Sequence, residues 1–173
     1  MENFNTLVNQ RQSVRSYKSD AVSENMIMQC IEAARVAPSA CNAQPWKFII
    51  IDDSELKNKV AETAFKFCAQ VPIIVAIVLE KPNFMSAIGS VLKNKEYTLI
   101  DIGITAEHFC LQATELGLGT CLIGWFDEKK VKKLLNIPKS KRIPLLISLG
   151  FPDDTHREKT RKSTEQIVSK NSY

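Results

Sequence analysis

Arg11, Ser13 and Arg15 alternate in RQSVR, so an extended backbone turns all three side chains to one side. Two guanidiniums and a hydroxyl on one side suit a phosphate or another planar anion, because arginine donates through a bidentate fork. Taken alone, the stretch reads more readily as a solvated basic turn. A second unusual stretch, PSACNAQPW, spans 38–46. Asn42 and Gln44 offer donors and an acceptor that match the mixed edge of a heterocycle carrying C=O and N–H groups. The prolines would stiffen such a loop and reduce the entropy lost on binding. The plainer reading is a loop with local turn bonds and a Trp46 that packs into the core.

Other chemistries find little support. GLGTCLIGWF lacks the GxGxxG spacing and follows a helical stretch where that fingerprint follows a strand, so a dinucleotide turn is rejected. GxxxxGK[ST], HExxH and GxSxG do not occur. His108 lies in a helical run and His156 in a polar tail, neither with a serine or cysteine at a triad spacing. Cys41 sits in the unusual loop with no electropositive or basic neighbour in sequence, which makes its thiol a bystander. The five cysteines are widely spaced without CxxC, as reduced buried thiols would be, and metal binding is not expected.

The elements that must position these residues are readable from periodicity. SENMIMQCIEAARVA (23–37) carries a helical stripe that stops at Pro38. KFIII (47–51) is a short strand, followed by Asp52 and Asp53 as turn and N-cap of a helix in SELKNKVAETAFKFCA. VPIIVAIVLE (71–80) is apolar throughout, as a strand buried on both faces is. KPNFMSAIGSVLKNKEY (81–97) has no clear period and is expected to be a loop or irregular crossing. TLIDIGITAEHFCLQATELGLG (98–119) is a long central helix ending at Gly117. TCLIGWF is a third strand or strand-like turn, DEKKVKKLLNI a short helix capped by Asp127, and IPLLISLG (143–150) a fourth buried strand. The tail after FPDD is too polar to form core, and is expected to be disordered or held by a partner surface.

The bulk numbers fit one α+β domain. A chain of 173 residues can bury roughly 70% of its unfolded surface. Apolar residues at 45% and charged residues at 24% are ordinary for a globular protein. The N-terminus has no signal-like apolar region, and no run approaches membrane-spanning length, so a cytoplasmic protein without a membrane role is expected. The net charge of +4 is concentrated in KKVKK, KSKR and REKTRK. No nucleic-acid motif or interleaved aromatics accompany these clusters, and a nucleic-acid partner is not expected.

In this order, RQSVR, PSACNAQPW, the helix beginning DIGITAEHF, GLGTCLIG and the late KTRK resemble the nitroreductase family of flavin-dependent oxidoreductases, from about residue 7 to 168. PSxxNxQPW is the most specific element. The resemblance implies a nitroreductase-like α+β fold with a mixed central β-sheet flanked by helices. It further implies an intertwined homodimer in which residues 1–173 form one flavin-binding domain and the tail, about 152–173, packs on the partner subunit. FMN would be bound non-covalently and NADH or NADPH would be the electron donor, with a nitroaromatic, quinone or similar small molecule as acceptor in a ping-pong reaction. The cofactor site implied is Arg11, Gln12 and Ser13 with Lys159 and Arg161 at the phosphate and ribityl end, and Arg15 at the pyrimidine edge. Pro38, Ser39, Ala40, Asn42 and Gln44 would come from the loop, and the backbone of Leu122, Ile123, Gly124 and Trp125 would pass near flavin N5. No catalytic side chain is implied: Arg15 would tune the flavin by its charge near N1.

The sequence departs from the family pattern in three places. Gln12 stands where a basic residue is common, Trp125 where glycine is common, and the stretch between the second strand and the long helix is short. A non-turnover flavin protein, or a specialised chemistry such as reductive dehalogenation or flavin fragmentation, are the alternative readings.

Overall fold

The computed structural model describes residues 3–93 and 95–173. Helix α1 covers Phe4–Gln10, and α2 covers Glu24–Arg35. Ser23 caps α2 by accepting the Met26 N–H, and the helix buries Ile27, Cys30 and Ala34 at the spacing that puts them on one face. Strand β1 (Trp46–Ile51) leads through Asp53, which caps α3 (Ser54–Ala61) by accepting the Leu56 N–H at 2.8 Å. A 3-10 helix at Lys66–Gln70 precedes β2 (Ile73–Leu79). Then come α4 (Phe84–Lys93), α5 (Tyr97–Glu115), β3 (Gly119–Ile123), α6 (Glu128–Leu134), β4 (Leu145–Gly150) and α7 (Thr164–Ile167).

The strands form one sheet in the order β1-β2-β4-β3, with each neighbouring pair antiparallel. Its parallel contact among the described residues is a single bridge between Ser13 and Thr120. The expected mixed sheet is therefore antiparallel in its four strands and mixed only through that bridge. Six consecutive residues of β2 are buried because helices cover both faces. On one face Val75, Ile77, Ile147 and Leu149 meet Ala106, Phe109 and Ala113 of α5 together with Cys30 and Ala34 of α2. On the other, Val78, Leu146 and Ile123 meet Val60 of α3 and Val131 of α6.

Two expectations are corrected. Residues 81–97 hold α4 and the start of α5 where a loop was expected. The helix over SELKNKVAETAFKFCA ends at Ala61, and the Asp127 N–H takes up the Thr63 carbonyl just beyond it. The end of α5 follows expectation: Gly117 adopts φ 75°, with Leu118 N–H bonded to Ala113 O and Gly117 N–H to Thr114 O. This pair of hydrogen bonds satisfies the Ala113 and Thr114 carbonyls in the last turn of the helix.

The tail is held by its own chain as far as Lys159. Pro152 bridges Tyr17, Asp153 N–H donates to Ser16 O at 2.9 Å, and Arg157 N–H donates to Gln12 Oε1 at 3.0 Å. Composition alone suggested disorder or a partner surface for this segment. It is ordered by main-chain and amide groups that bond irrespective of hydrophobicity.

Candidate functional site

The segment RQSVR begins where α1 ends. Arg11 is the C-cap of that helix, and its ψ of 123° turns the chain out of the helix and into the extended segment. Its Nε donates to Glu107 Oε1 of α5 at 3.0 Å. Val14 N–H donates to Thr120 O at 2.8 Å, which lays the segment along β3. Tyr17 anchors its far end, with its buried hydroxyl 2.8 Å from Val14 O and 2.7 Å from Ser148 Oγ. Burial, the largest influence, raises the phenol's pKa against the opposing Ser148 bond.

Lys159 Nζ donates to Val8 O and Asn9 O at 2.7 and 2.5 Å. These carbonyls lie in the last turn of α1, where the helix dipole favours a cation. The pKa of the ammonium is nonetheless lowered, first by desolvation and then by Arg11 and Arg161. Three cations thus converge from opposite ends of the chain, with Glu107 as the opposing carboxylate. Such an excess of like charge is what a phosphate would offset.

Arg15 serves a different neighbourhood. With Phe65, Phe67, Cys121, Leu122 and Ile123 it lines a cavity of about 300 Å³. The two phenyl rings are stacked with centroids 6.0 Å apart and planes 15° from parallel. Burial pushes the Cys121 thiol up, against the pull of Arg15, Ser13 and Arg157. A cation, aromatic faces and a strand at one hollow suit a flat heteroaromatic ring that gains negative charge. The expected neighbours Arg15, Leu122 and Ile123 are brought together here. Gly124 and Trp125 follow at the end of β3, and the indole is 80% exposed. Phe65 and Phe67 were missed by sequence reading; their signal is an FKF alternation just before the buried strand.

Gln12 is committed at both ends of its amide. Its Nε2 donates to Thr155 O at 3.1 Å and its Oε1 accepts from Arg157 N–H, so it clamps the tail.

The loop after α2 is the third part. Ala40–Asn42 forms a 3-10 turn, and Cys41, Asn42 and Gln44 have φ of 52°, 50° and 46°. Non-glycine residues in this region cost on the order of 1–3 kcal/mol each and persist only where surroundings enforce them. The enforcing bonds run from Gln44 N–H to Ser39 Oγ at 3.0 Å, from Gln44 Nε2 to Asn42 Oδ1 at 3.0 Å, and from Asn83 Nδ2 to Cys41 O at 2.8 Å. Ala40 N–H donates to Asp101 Oδ1 of α5 at 3.1 Å. Pro38, Ser39, Ala40, Asn42 and Gln44 do not line the Arg15 cavity. Asp101 and Glu107 are separated by about 9 Å along the axis of α5, so that helix carries the loop at one level and Arg11 at another.

The basic run 129–133 faces a hollow of about 810 Å³ lined by Lys129, Lys132, Lys133 and Lys139 with Ile137 and Pro138. Lys132 is structural: it pairs with Glu128 at 3.2 Å and donates to Lys141 O at 2.6 Å. Among the described residues no group of three or more His, Cys, Asp or Glu is placed to hold a metal ion, and no helix is long and apolar enough to cross a membrane.

The family model "Nitroreductase family" matches residues 8–151. A putative NADH dehydrogenase/NAD(P)H nitroreductase from Archaeoglobus fulgidus is 32% identical to the chain, covering 89% of it and 88% of the relative. An FMN reductase [NAD(P)H] from Bacillus subtilis is 29% identical, covering 93% of this chain and 70% of the other. The crystal structure of a nitroreductase family protein from Clostridium novyi NT superposes with a TM-score of 0.77 at 29% identity, over 88% of this chain and 87% of that one.

Proposed function

Because the chain belongs to the nitroreductase family, we propose that it is an FMN-dependent oxidoreductase that uses NADH or NADPH to reduce a nitroaromatic, quinone or similar small acceptor. The observation that carries this reading is the hollow shared by Arg15, Leu122, Ile123 and two stacked phenylalanines, with a separate cluster of Arg11, Lys159 and Arg161. The two parts match a flat ring and a phosphate. FMN, when bound, supplies the two-electron relay that lets donor and acceptor react in turn, a ping-pong order.

The chain's own residues have defined tasks in this reading. Arg11, Lys159 and Arg161 hold the phosphate, and Ser13 donates beside them. Arg15 places a fixed cation at the pyrimidine edge, where reduction leaves negative charge, and so favours electron acceptance. The backbone of Leu122 to Trp125 borders the ring without adding a titrating group, and Gln12 acts through the tail it clamps.

The loop residues Pro38, Ser39, Ala40, Asn42 and Gln44 reach a ring bound at Arg15 most simply from a second copy of the chain. A homodimer is supported by the apolar side chains that α4 and the tail leave exposed, Leu92 at 74% and Ile167 at 67%. In this reading residues 1–173 are one domain, the tail beyond Lys159 lies on the partner, and the protein works in the cytoplasm.

The test is the visible spectrum of the purified protein before and after anaerobic addition of NADH or NADPH. Flavin absorbance that bleaches with donor and returns with a quinone is expected. Colourless protein that takes up no FMN at micromolar concentration overturns the reading.

A further inference from the structure

Helix α5 turns Asp101, Thr105 and His108 toward the end of α2 and the loop that follows it. Spacings of four and three residues place them along one helix face. Thr105 Oγ1, fully buried, donates to Ala34 O at 2.7 Å, and His108 Nδ1 lies 3.2 Å from Ala33 O. Both carbonyls belong to the last turn of α2, where Ala34 O also accepts the Ala37 N–H at 3.2 Å. Asp101 extends this seam into the loop through the Ala40 N–H.

Asp101 is only 3% exposed, and its second oxygen, Oδ2, is buried without a hydrogen-bond partner among the described residues. A carboxylate oxygen left in that state opposes folding. The one side-chain bond it makes among the described residues falls on the first residue of the turn in which Cys41, Asn42 and Gln44 are forced to positive φ. A costly side chain therefore stands at the base of a costly backbone. Neither is explained by stability, and both are explained if the shape of the turn is what matters.

We infer that Asp101 is the positioning residue of the Ala40–Gln44 turn, holding Ser39, Asn42 and Gln44 in the arrangement that receives the flavin. This rests on the FMN reading above.

The experiment compares Asp101→Ala and Asp101→Asn with the unaltered protein, by FMN titration, visible circular dichroism of the bound flavin and melting of the FMN-free protein. Asp101→Ala is expected to weaken FMN binding by roughly tenfold or more and to change the flavin's dichroism, with little change in FMN-free melting. Asp101→Asn keeps an acceptor for the Ala40 N–H and is expected to restore most of the affinity. Hydrogen exchange on the unaltered, FMN-free protein adds an arm that needs no variant: the Ala40 amide should exchange more slowly than an unstructured peptide. Unchanged FMN affinity and dichroism in Asp101→Ala, affinity that falls only in step with melting temperature, or an unprotected Ala40 amide each overturn the inference. Failure of the unaltered protein to take up FMN overturns the flavin reading itself, and the exchange arm still judges the bond.

Discussion

Gly119 and Val14 meet so closely that a Cβ on the glycine would lie 2.7 Å from Val14 Cγ2. The N-terminal segment that carries Ser13 and Arg15 can lie on β3 only because this position has no side chain. Gly119→Ala is expected to destabilise by about 1–3 kcal/mol through overpacking. It should also weaken FMN binding, because the segment must lift. Thermal melting and FMN titration of the same variant check both parts, and wild-type values in both would refute the role.

The Tyr17 hydroxyl joins Val14 O and Ser148 Oγ in a buried network. Removing it in Tyr17→Phe leaves a buried acceptor and is expected to cost about 1–3 kcal/mol. Because Ser148→Ala breaks the same contact, the double variant should lose less than the sum of the single losses. A chemical-denaturation cycle measures the difference, and strict additivity would count against a shared network.

Lys159 sets a pH dependence. Its proton is held less tightly in the folded chain than in an ordinary lysine, through desolvation and then Arg11 and Arg161. Between the lowered folded value and the ordinary one, the unfolded chain binds more protons, so this group's contribution to stability rises with pH across that window. FMN binding should run the other way, since a phosphate favours the charged ammonium and loses it as pH climbs. Lys159→Met is expected to flatten both slopes, which stability and FMN affinity measured across alkaline pH would show.

Arg15→Met should lower the reduction potential of the bound flavin. A loss of about 1.4 kcal/mol of charge stabilisation corresponds to about 30 mV for a two-electron couple. Equilibration with a reference dye reads the potential, and an unchanged value would remove Arg15 as the electrostatic tuner.

Deleting the tail after Thr160 tests the proposed second copy. The segment to Lys159 stays anchored by Gln12 and Arg157, so the remaining domain is expected to fold but to shift toward monomer and lose FMN. Light scattering with flavin quantification reads both, and a fully dimeric, flavin-loaded truncation would refute the tail's role.

What the sequence made legible was local. Asp53, Asp127 and Gly117 mark helix ends through bonds that span only a few residues, and each is where its type suggested. Helix α4 was missed although Met85, Ile88 and Leu92 recur at helical spacing, because that stripe faces outward and nothing in the core marks it. Phe65 and Phe67 were hidden in an apparent continuation of α3. The convergence of Lys159 on α1 joins positions 151 residues apart, and only folding reveals it. Resemblance named Arg11, Lys159 and Arg161 together; the structure adds a crowding of like charge that a bound anion would offset. The family likeness gave no hint that Gln12 serves the tail or that Asp101 lies under the loop.

Strand β1 has β2 as its one strand neighbour among the described residues, which leaves its other border with main-chain donors and acceptors to spend. The sequence there is WKFIII, with Ile50 exposed and Lys47 carrying the strand's charge. Such a border is the kind of template on which chains stack into aggregates, and a lysine is a common guard against it. An isolated chain kept concentrated would therefore be expected to precipitate through this edge first, and the lysine is its safeguard.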